Sequence, residues 1–340
     1  MLDITSQKLE SQEDIMSFWD NKDEVCVSII CATYNQENYI QDAIVGFLMQ
    51  KTNFRFEIVI HDDASTDNTA NIVKSYQKRY PDIIKPIFQK ENQYSKGGFK
   101  PLRYASRFAR SKYLALCEGD DFWVNKNKLQ VQYDELESNP QVKMCFHPAY
   151  ELYPNGSIVK SAVYANKKRT FSTEEVIKIG GGFSPTASVF VRKDVFGQLN
   201  ELFQALVVGD YYNQILSSIP NGVIYLPVPM SVYRRLALNS FTNENTKDVE
   251  TSLNFHRKVL DSNNNFNQVA LGGKYEKEFR MYESYLLFGL LIKKDHFYPF
   301  FKEFYKTIFT KQFFMVSFKL LKIKIVKKIS KKKYSYSVGD

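Results

Sequence analysis

Cysteine is scarce in this chain. The four present, Cys26, Cys31, Cys117 and Cys145, form no CxxC pair, and each stands in an apolar, strand-like run. That usage argues against a disulfide framework or a thiolate zinc site and points to reduced core thiols in a reducing compartment. Long apolar runs are missing too: no stretch of about 18 uncharged apolar residues occurs. The opening MLDITSQKLESQEDIM has no basic segment followed by an apolar one. Neither a secretory signal nor a spanning helix is expected.

What is present suits a large folded protein. The chain has 340 residues and a mass of 39.6 kDa, and 44% of it is hydrophobic. That is room for one large α/β domain with an appendage, or for two domains. The net charge is +9, with much of the excess in IKIVKKISKKKYS, residues 323–335. Such a tail can meet anionic lipid or nucleic acid, or simply be solvated. No nucleic-acid recognition motif accompanies it, so no nucleic-acid partner is expected.

Residues up to about Glu24 form a polar lead-in. Val25 to Cys31 is a near-continuous β-branched run, as in a parallel strand buried on both faces. After the turn Ala32 to Asn35, the positions Ile40, Ile44, Phe47 and Leu48 follow helical spacing. Phe56 to Ile60 is a second strand, followed by a helix through Ile72, Val73 and Tyr76 that Asp67 or Thr66 can cap. A third strand spans Ile83 to Phe88, a helix lies around Leu102 to Arg110, and a fourth strand is Tyr113 to Cys117. This alternation implies right-handed crossovers and a Rossmann-like, mostly parallel sheet. Beyond Trp123 the pattern is mixed: a helix over Lys126 to Ser138, an extended segment Val142 to Tyr150, a hairpin turn at Asn155-Gly156 and a strand PTASVFVR from Pro185. A helix then opens at Gly209-Asp210, and short strands follow at Val223 to Leu226 and Met230 to Tyr233. From about Asp248 the chain reads as helical.

In open α/β sheets ligands bind beyond the carboxyl ends of the strands. Three turns occupy that edge: Thr33-Tyr34-Asn35, Asp62-Asp63, and Glu118-Gly119-Asp120-Asp121. Two adjacent carboxylates at the end of a buried strand repel one another and need a divalent cation, a basic partner or a shared proton. A hard cation that completes its shell with substrate phosphates suits them best. Tyr34 offers an aromatic face to a base, with the backbone of Ala32 and Thr33 beside it.

The segments VSIICATYNQENYIQDAI, EIVIHDDASTDNT and YLALCEGDDFW with KLQVQ resemble the nucleotide-sugar half of family-two, GT-A-fold glycosyltransferases, over roughly residues 25–240. The resemblance implies a lead-in (1–24) and a GT-A domain (25–245). That domain comprises a nucleotide-binding half (25–124) and a mixed acceptor half (125–245), and a helical C-terminal region with a basic tail (246–340) follows. It implies metal-dependent inverting transfer from a UDP-sugar to a glycan or lipid-linked hydroxyl. Asp63 would meet the base, Asp121 would bind Mn²⁺ or Mg²⁺, and Asp120 would share the metal or lie near the ribose. Asp210, in VVGDYYNQIL, matches the family's general base. Glu118 replaces an Asp common in relatives. Of the Arg pair after the last short strand, Arg235 is expected on the diphosphate, with Asn239, Ser240 and Thr242 beyond it, and Leu236 and Ala237 leave no His ligand there. Asp62, His61 and His147 are expected to be structural, and Trp123 to line the acceptor site or the core.

Two other classes differ from this reading. Sugar-nucleotide nucleotidyltransferases carry a glycine-rich loop after the first strand, and CATYNQEN has no glycine. A non-catalytic binding module of the same fold would have no need of Asp63, Asp120, Asp121 and Asp210 together. Lysines and aromatics from Tyr298 onward lead to an expectation of peripheral attachment to an anionic membrane surface, on the cytoplasmic face of the plasma membrane.

Overall fold

The computed structural model of the chain describes residues 8–197, 206–235, 248–292 and 297–318. The basic tail at 323–335 and the residues Leu236, Ala237, Asn239, Ser240 and Thr242 lie outside them. The chain divides into two compact units, Met1–Val176 with Gly180–Ser240, and Ile177–Ile179 with Phe241–Asp340.

In the first unit the strands are β1 (Val25–Thr33), β2 (Arg55–Asp62), β3 (Ile84–Phe88), β4 (Tyr113–Glu118), β5 (Phe122–Trp123) and β6 (Met144–Phe146). The remaining strands of this unit are β7 (Ala149–Leu152), β8 (Ile158–Ser161), β9 (Arg169–Phe171), β10 (Phe190–Arg192), β11 (Val223–Tyr225) and β12 (Ser231–Arg234). A large sheet runs in the order β3-β2-β1-β4-β10-β6-β11-β9, and a small one in the order β5-β12-β7-β8. The first four strands of the large sheet are mutually parallel; β10 is antiparallel to both β4 and β6. Parallel neighbours need crossovers. Helices α1 (Gln12–Ser17), α2 (Ile40–Leu48), α3 (Thr69–Arg79), α4 (Pro101–Ser106), α5 (Lys128–Glu137) and α6 (Thr173–Ile179) are spaced among these strands, with α2 and α3 making the first two crossovers. Val27, Ile29, Ile30 and Cys31 on β1 are all buried, which explains why its sequence does not alternate.

A buried polar knot ties the opposite edge of the sheet. Glu57 accepts from Ser28 Oγ at 2.6 Å, from the Arg110 backbone at 2.8 Å and from Arg110 Nε at 2.7 Å. The demand for the Arg110 backbone N–H accompanies the early end of α4 at Ser106, where the apolar spacing suggested a helix to Arg110.

Two extended segments are broken. PTASVFVR becomes a tight turn, Thr186–Ser188, before β10. Ser188 closes that turn by donating both its N–H (2.9 Å) and its hydroxyl (2.6 Å) to the Pro185 carbonyl. Val142 to Tyr150 divides at His147-Pro148, so that β6 lies in the large sheet and β7 in the small one. Proline has no N–H for a continuing ladder.

The second unit is helical, with helices at Val249–Leu271, Glu276–Leu291 and Phe297–Ile308. Leu287, Phe288, Leu291, Phe300, Phe304, Ile308 and Phe313 form its core.

Candidate active site

The carboxyl ends of β1 and β2 are bound to one another loop to loop. Asn35 adopts φ 50°, and its Oδ1 accepts the Thr66 N–H at 2.8 Å while its own N–H donates to Ser65 Oγ at 2.9 Å. The Gln36 N–H donates to Thr69 Oγ1 at 2.8 Å, and the Glu37 N–H to Asp67 Oδ2 at 3.0 Å. An Asn or Asp in each turn supplies the acceptors that left-handed or tight backbone needs. Asp62 accepts from the Ser65 N–H and hydroxyl, a turn role. Tyr34 is left 40% exposed at this rim.

Asp63 is buried, and both its oxygens are engaged: Oδ1 accepts the Gln93 N–H and Oδ2 the Tyr94 N–H, each at 2.9 Å. It therefore braces the Gln93–Tyr94 loop against the end of β2. His61 is fully buried against Phe99 and Tyr104, and burial lowers its basicity.

The acidic turn sits beside β1. The Gly119 N–H donates to the Ala32 carbonyl at 2.9 Å, and a Cβ at Gly119 would come within 2.9 Å of Thr33 Cβ and Oγ1 and 2.5 Å of Gln36 Oε1. Only glycine brings the turn this close. Asp121 is fully buried. Its Oδ1 accepts the Arg234 N–H at 2.9 Å, while Oδ2 has no hydrogen-bond partner. Burial and the neighbouring charges of Asp120 and Glu118 raise its carboxyl well above the ordinary range. Asp120 is raised as well, chiefly by burial, and Glu118 is pushed up to about 8 by burial, Asp120 and Asp210.

Arg234, at the end of β12, is the cation that serves this turn. Its guanidinium donates to the Asp120 carbonyl at 2.6 Å and to Asp42 of α2, and lies 4.5 Å from the Phe122 ring centre. Arg235, the arginine expected on the diphosphate, pairs through Nε with Glu151 Oε2 at 2.9 Å. Successive strand residues face opposite sides, and parity gives the turn to Arg234.

Asp210 is the second residue of the helix Gly209–Ser217, whose N-cap, Val208, makes no side-chain cap bond. Thr186 Oγ1 stands 3.5 Å from its Oδ2. Burial raises its carboxyl while the Lys100 charge and the Thr186 hydroxyl lower it. Because Glu118 responds to both Asp120 and Asp210, the strand-end turn and this helix share one electrostatic site. Trp123 is wholly buried, with its indole N–H on the Ala187 carbonyl at 2.9 Å. Sequence reasoning gave no site role to Asp42, which lies within the segment VSIICATYNQENYIQDAI, or to Lys100 and Thr186, which lie outside the quoted motifs.

Among the described residues no three His, Cys, Asp or Glu side chains converge to hold a metal by themselves. The partnerless Oδ2 of the buried Asp121, next in sequence to Asp120, suits a hard cation that takes one or two carboxylates and fills its shell with phosphate oxygens. The residues fit such an ion.

Residues 28–199, about half of the chain, match the family model for Glycosyl transferase family 2. An uncharacterised protein of Mycobacterium tuberculosis (strain H37Rv) is 35% identical over 211 residues, covering 62% of this chain and 59% of that protein. An Escherichia coli UDP-Glc:α-D-GlcNAc-diphosphoundecaprenol β-1,3-glucosyltransferase, WfgD, is 31% identical over 145 residues, 43% of this chain and 53% of that protein. The matches thus span roughly half to three-fifths of these relatives' lengths. Among solved structures, residues 1–349 of Staphylococcus aureus TarS, in complex with UDP-GlcNAc, superimpose with a TM-score of 0.53 at 16% identity, over 84% of this chain and 82% of that one. The Pyrobaculum calidifontis mannosyltransferase PcManGT, in complex with GDP-Man and Mn²⁺, gives 0.51 at 13% identity, over 92% and 87%. The fold they share with this chain is GT-A.

Proposed function

Because the chain belongs to glycosyl transferase family 2, we propose that it is an inverting glycosyltransferase, moving a sugar from a nucleotide-sugar to a hydroxyl of a glycan or lipid-linked acceptor. A UDP-sugar is the favoured donor. That choice is supported by the UDP-Glc and UDP-GlcNAc named for WfgD and TarS, and it is tested against the GDP-Man named for PcManGT. The single observation that carries the reading is the site electrostatics: Asp120 after the end of β4 and Asp210 from a separate helix both act on Glu118, and Asp120 and Glu118 in turn act on the buried Asp121.

In this reading the base stacks on Tyr34. Asp63 holds the wall of its pocket through the Gln93–Tyr94 loop, and the backbone of Ala32 and Thr33 forms the floor. Asp121, with Asp120, would hold Mn²⁺ or Mg²⁺, which would offset the charge of the diphosphate when bound. Arg234 orients both aspartates. Asp210 takes the proton of the acceptor hydroxyl as its oxygen bonds to the sugar's anomeric carbon. The bond from that carbon to the diphosphate breaks on the opposite face, the configuration inverts, and the nucleoside diphosphate leaves. A carboxyl raised by burial is a better base than an ordinary one once ionised, and Lys100 favours its ionisation.

The test begins with a panel of UDP- and GDP-sugars scored for thermal stabilisation with Mn²⁺. The best donor then serves in a nucleotide-release assay. Asp210→Asn keeps shape but removes basicity, so turnover should fall by about 10²–10⁴ while donor affinity changes little. Retained turnover would remove Asp210 as the base, and equal loss of binding and turnover would make it a donor ligand.

No helix among the described residues is long and apolar enough to cross a membrane. The helix Phe297–Ile308 supports peripheral attachment: Phe300, Phe304 and Ile308 are buried, while Phe297, Phe301 and Tyr305 line an exposed stripe beside Lys302 and Lys306. Aromatics next to lysines suit the interface of an anionic bilayer.

A further inference from the structure

Lys128 lies at the start of α5 with no exposed surface at all. Its ammonium donates to Gln132 Oε1 at 2.7 Å and sits 3.9 Å from the centre of the Trp123 ring. Burial pushes it down to about 7, against the thiols Cys117 and Cys145, which raise it. Burying an ammonium is costly, and a thioether of the same length would fill the space without that cost. The charge therefore has something to do.

Its two contacts each lead to the same place. Holding Gln132 Oε1 on the ammonium leaves the amide nitrogen facing outward, and that nitrogen donates to the Ser188 carbonyl at 2.9 Å. An amide with both ends assigned cannot flip. The Trp123 ring, fixed on its face by the cation, donates its indole N–H to the Ala187 carbonyl at 2.9 Å. Two consecutive carbonyls of the Thr186–Ser188 turn are thus gripped from one buried stack, and that turn begins with the hydroxyl that faces Asp210. On its other side the stack continues into the acidic turn, because Trp123 follows Asp121 by two residues. The Trp123 backbone is packed so closely on α2 that a Cβ at Gly46 would stand 2.8 Å from its carbonyl oxygen.

We propose that Lys128 is a positioning residue: by fixing the Trp123 ring and the Gln132 amide, it sets the Thr186–Ser188 turn, and with it Asp210, relative to the Asp120-Asp121 turn. The inference rests on Asp210 being the base. It assigns to Lys128 no contact with donor or acceptor.

Three variants test it, assayed as UDP release from the most stabilising UDP-sugar with Mn²⁺, alongside UDP affinity and thermal melting. Lys128→Met preserves volume and should lower kcat at least 10-fold per folded molecule while UDP affinity stays within about threefold. Gln132→Glu keeps the ammonium paired but places an acceptor against the Ser188 carbonyl, so kcat should fall similarly in a chain that melts no lower than Lys128→Met. Trp123→Phe removes the bond to Ala187, and the double variant with Lys128→Met should lose at most about twofold more than the worse single one. A kcat within twofold of wild type in both Lys128→Met and Gln132→Glu overturns the proposal, as does a loss accounted for by the unfolded fraction or by weaker UDP binding. The premise fails separately: Asp210→Asn that still turns over removes the base, whereas an inactive Asp210→Asn beside an active Lys128→Met removes only the positioning role.

Discussion

Asp121→Asn is the perturbation that bears most directly on the metal. One oxygen of this buried carboxyl is held by the Arg234 N–H and the other has no partner, while burial, Asp120 and Glu118 raise it well above its ordinary value. The unfolded chain releases the Asp121 proton near pH 4, whereas the folded chain keeps it to a higher pH. Across that window the native state binds more protons, so stability falls as pH rises. Glu118, raised to about 8, adds a slope of the same sign between its ordinary value and pH 8. A cation that replaces the Asp121 proton should therefore bind more tightly as pH rises. With Mn²⁺ and UDP at about 100 times their joint Kd, linkage stabilises the fold by about 2.7 kcal/mol. At roughly 2–4 °C per kcal/mol for a unit of this size, Tm should rise by about 5–11 °C. In Asp121→Asn the Mn²⁺-dependent rise should shrink to under about 2 °C, and the metal-free melting curve should lose part of its pH slope while keeping the Glu118 part. Melting scans from pH 5 to 8 with Mn²⁺ or with EDTA measure both. A full Mn²⁺-dependent rise in the variant, or no difference between Mn²⁺ and EDTA in the wild type, would refute the reasoning.

Gly119→Ala should be disproportionately harmful, because its Cβ would meet Thr33 at 2.9 Å and displace Gln36; overpacking of about 1–3 kcal/mol is expected, with UDP affinity reduced at least fivefold by calorimetry. An unchanged Tm with unchanged affinity would mean that the turn yields freely. The full chain should sediment with anionic vesicles at low salt and be released at high salt, and truncation after Thr310, which keeps the helix Phe297–Ile308, should weaken sedimentation; binding unchanged by truncation rejects the basic tail as an anchor, and none at any salt rejects both helix and tail.

The alternation of strand and helix, the two Asp-rich turns and the position of Asp210 at a helix start were all legible in the chain, because each depends on residues near one another in sequence. Buried parallel strands declare themselves by unbroken β-branched runs such as VCVSIIC, and an acidic turn at a strand end is a local pattern. Even the break at Pro148 has a local cause, visible once the missing N–H is set against the apolar run around it. Tertiary structure alone decided which groups answer those turns. The guanidinium of Arg234 rather than that of Arg235 meets the Asp120 carbonyl because the pairing of β12 with β5 and β7 sets which face of the pleat meets the acidic turn, and no one-strand pattern records that register. Asp63 finds two backbone N–H partners some 30 residues on. Asp42, Lys100 and Thr186 reach the site only because three separate connections end at the same sheet edge. Lys128 opens the KLQVQ stretch, but nothing in that pattern shows that the lysine is buried against Trp123 and Gln132. Propensity and periodicity act over a few residues, whereas the charges, orphaned oxygens and close approaches that give this site its chemistry arise where segments far apart in sequence are packed against one another.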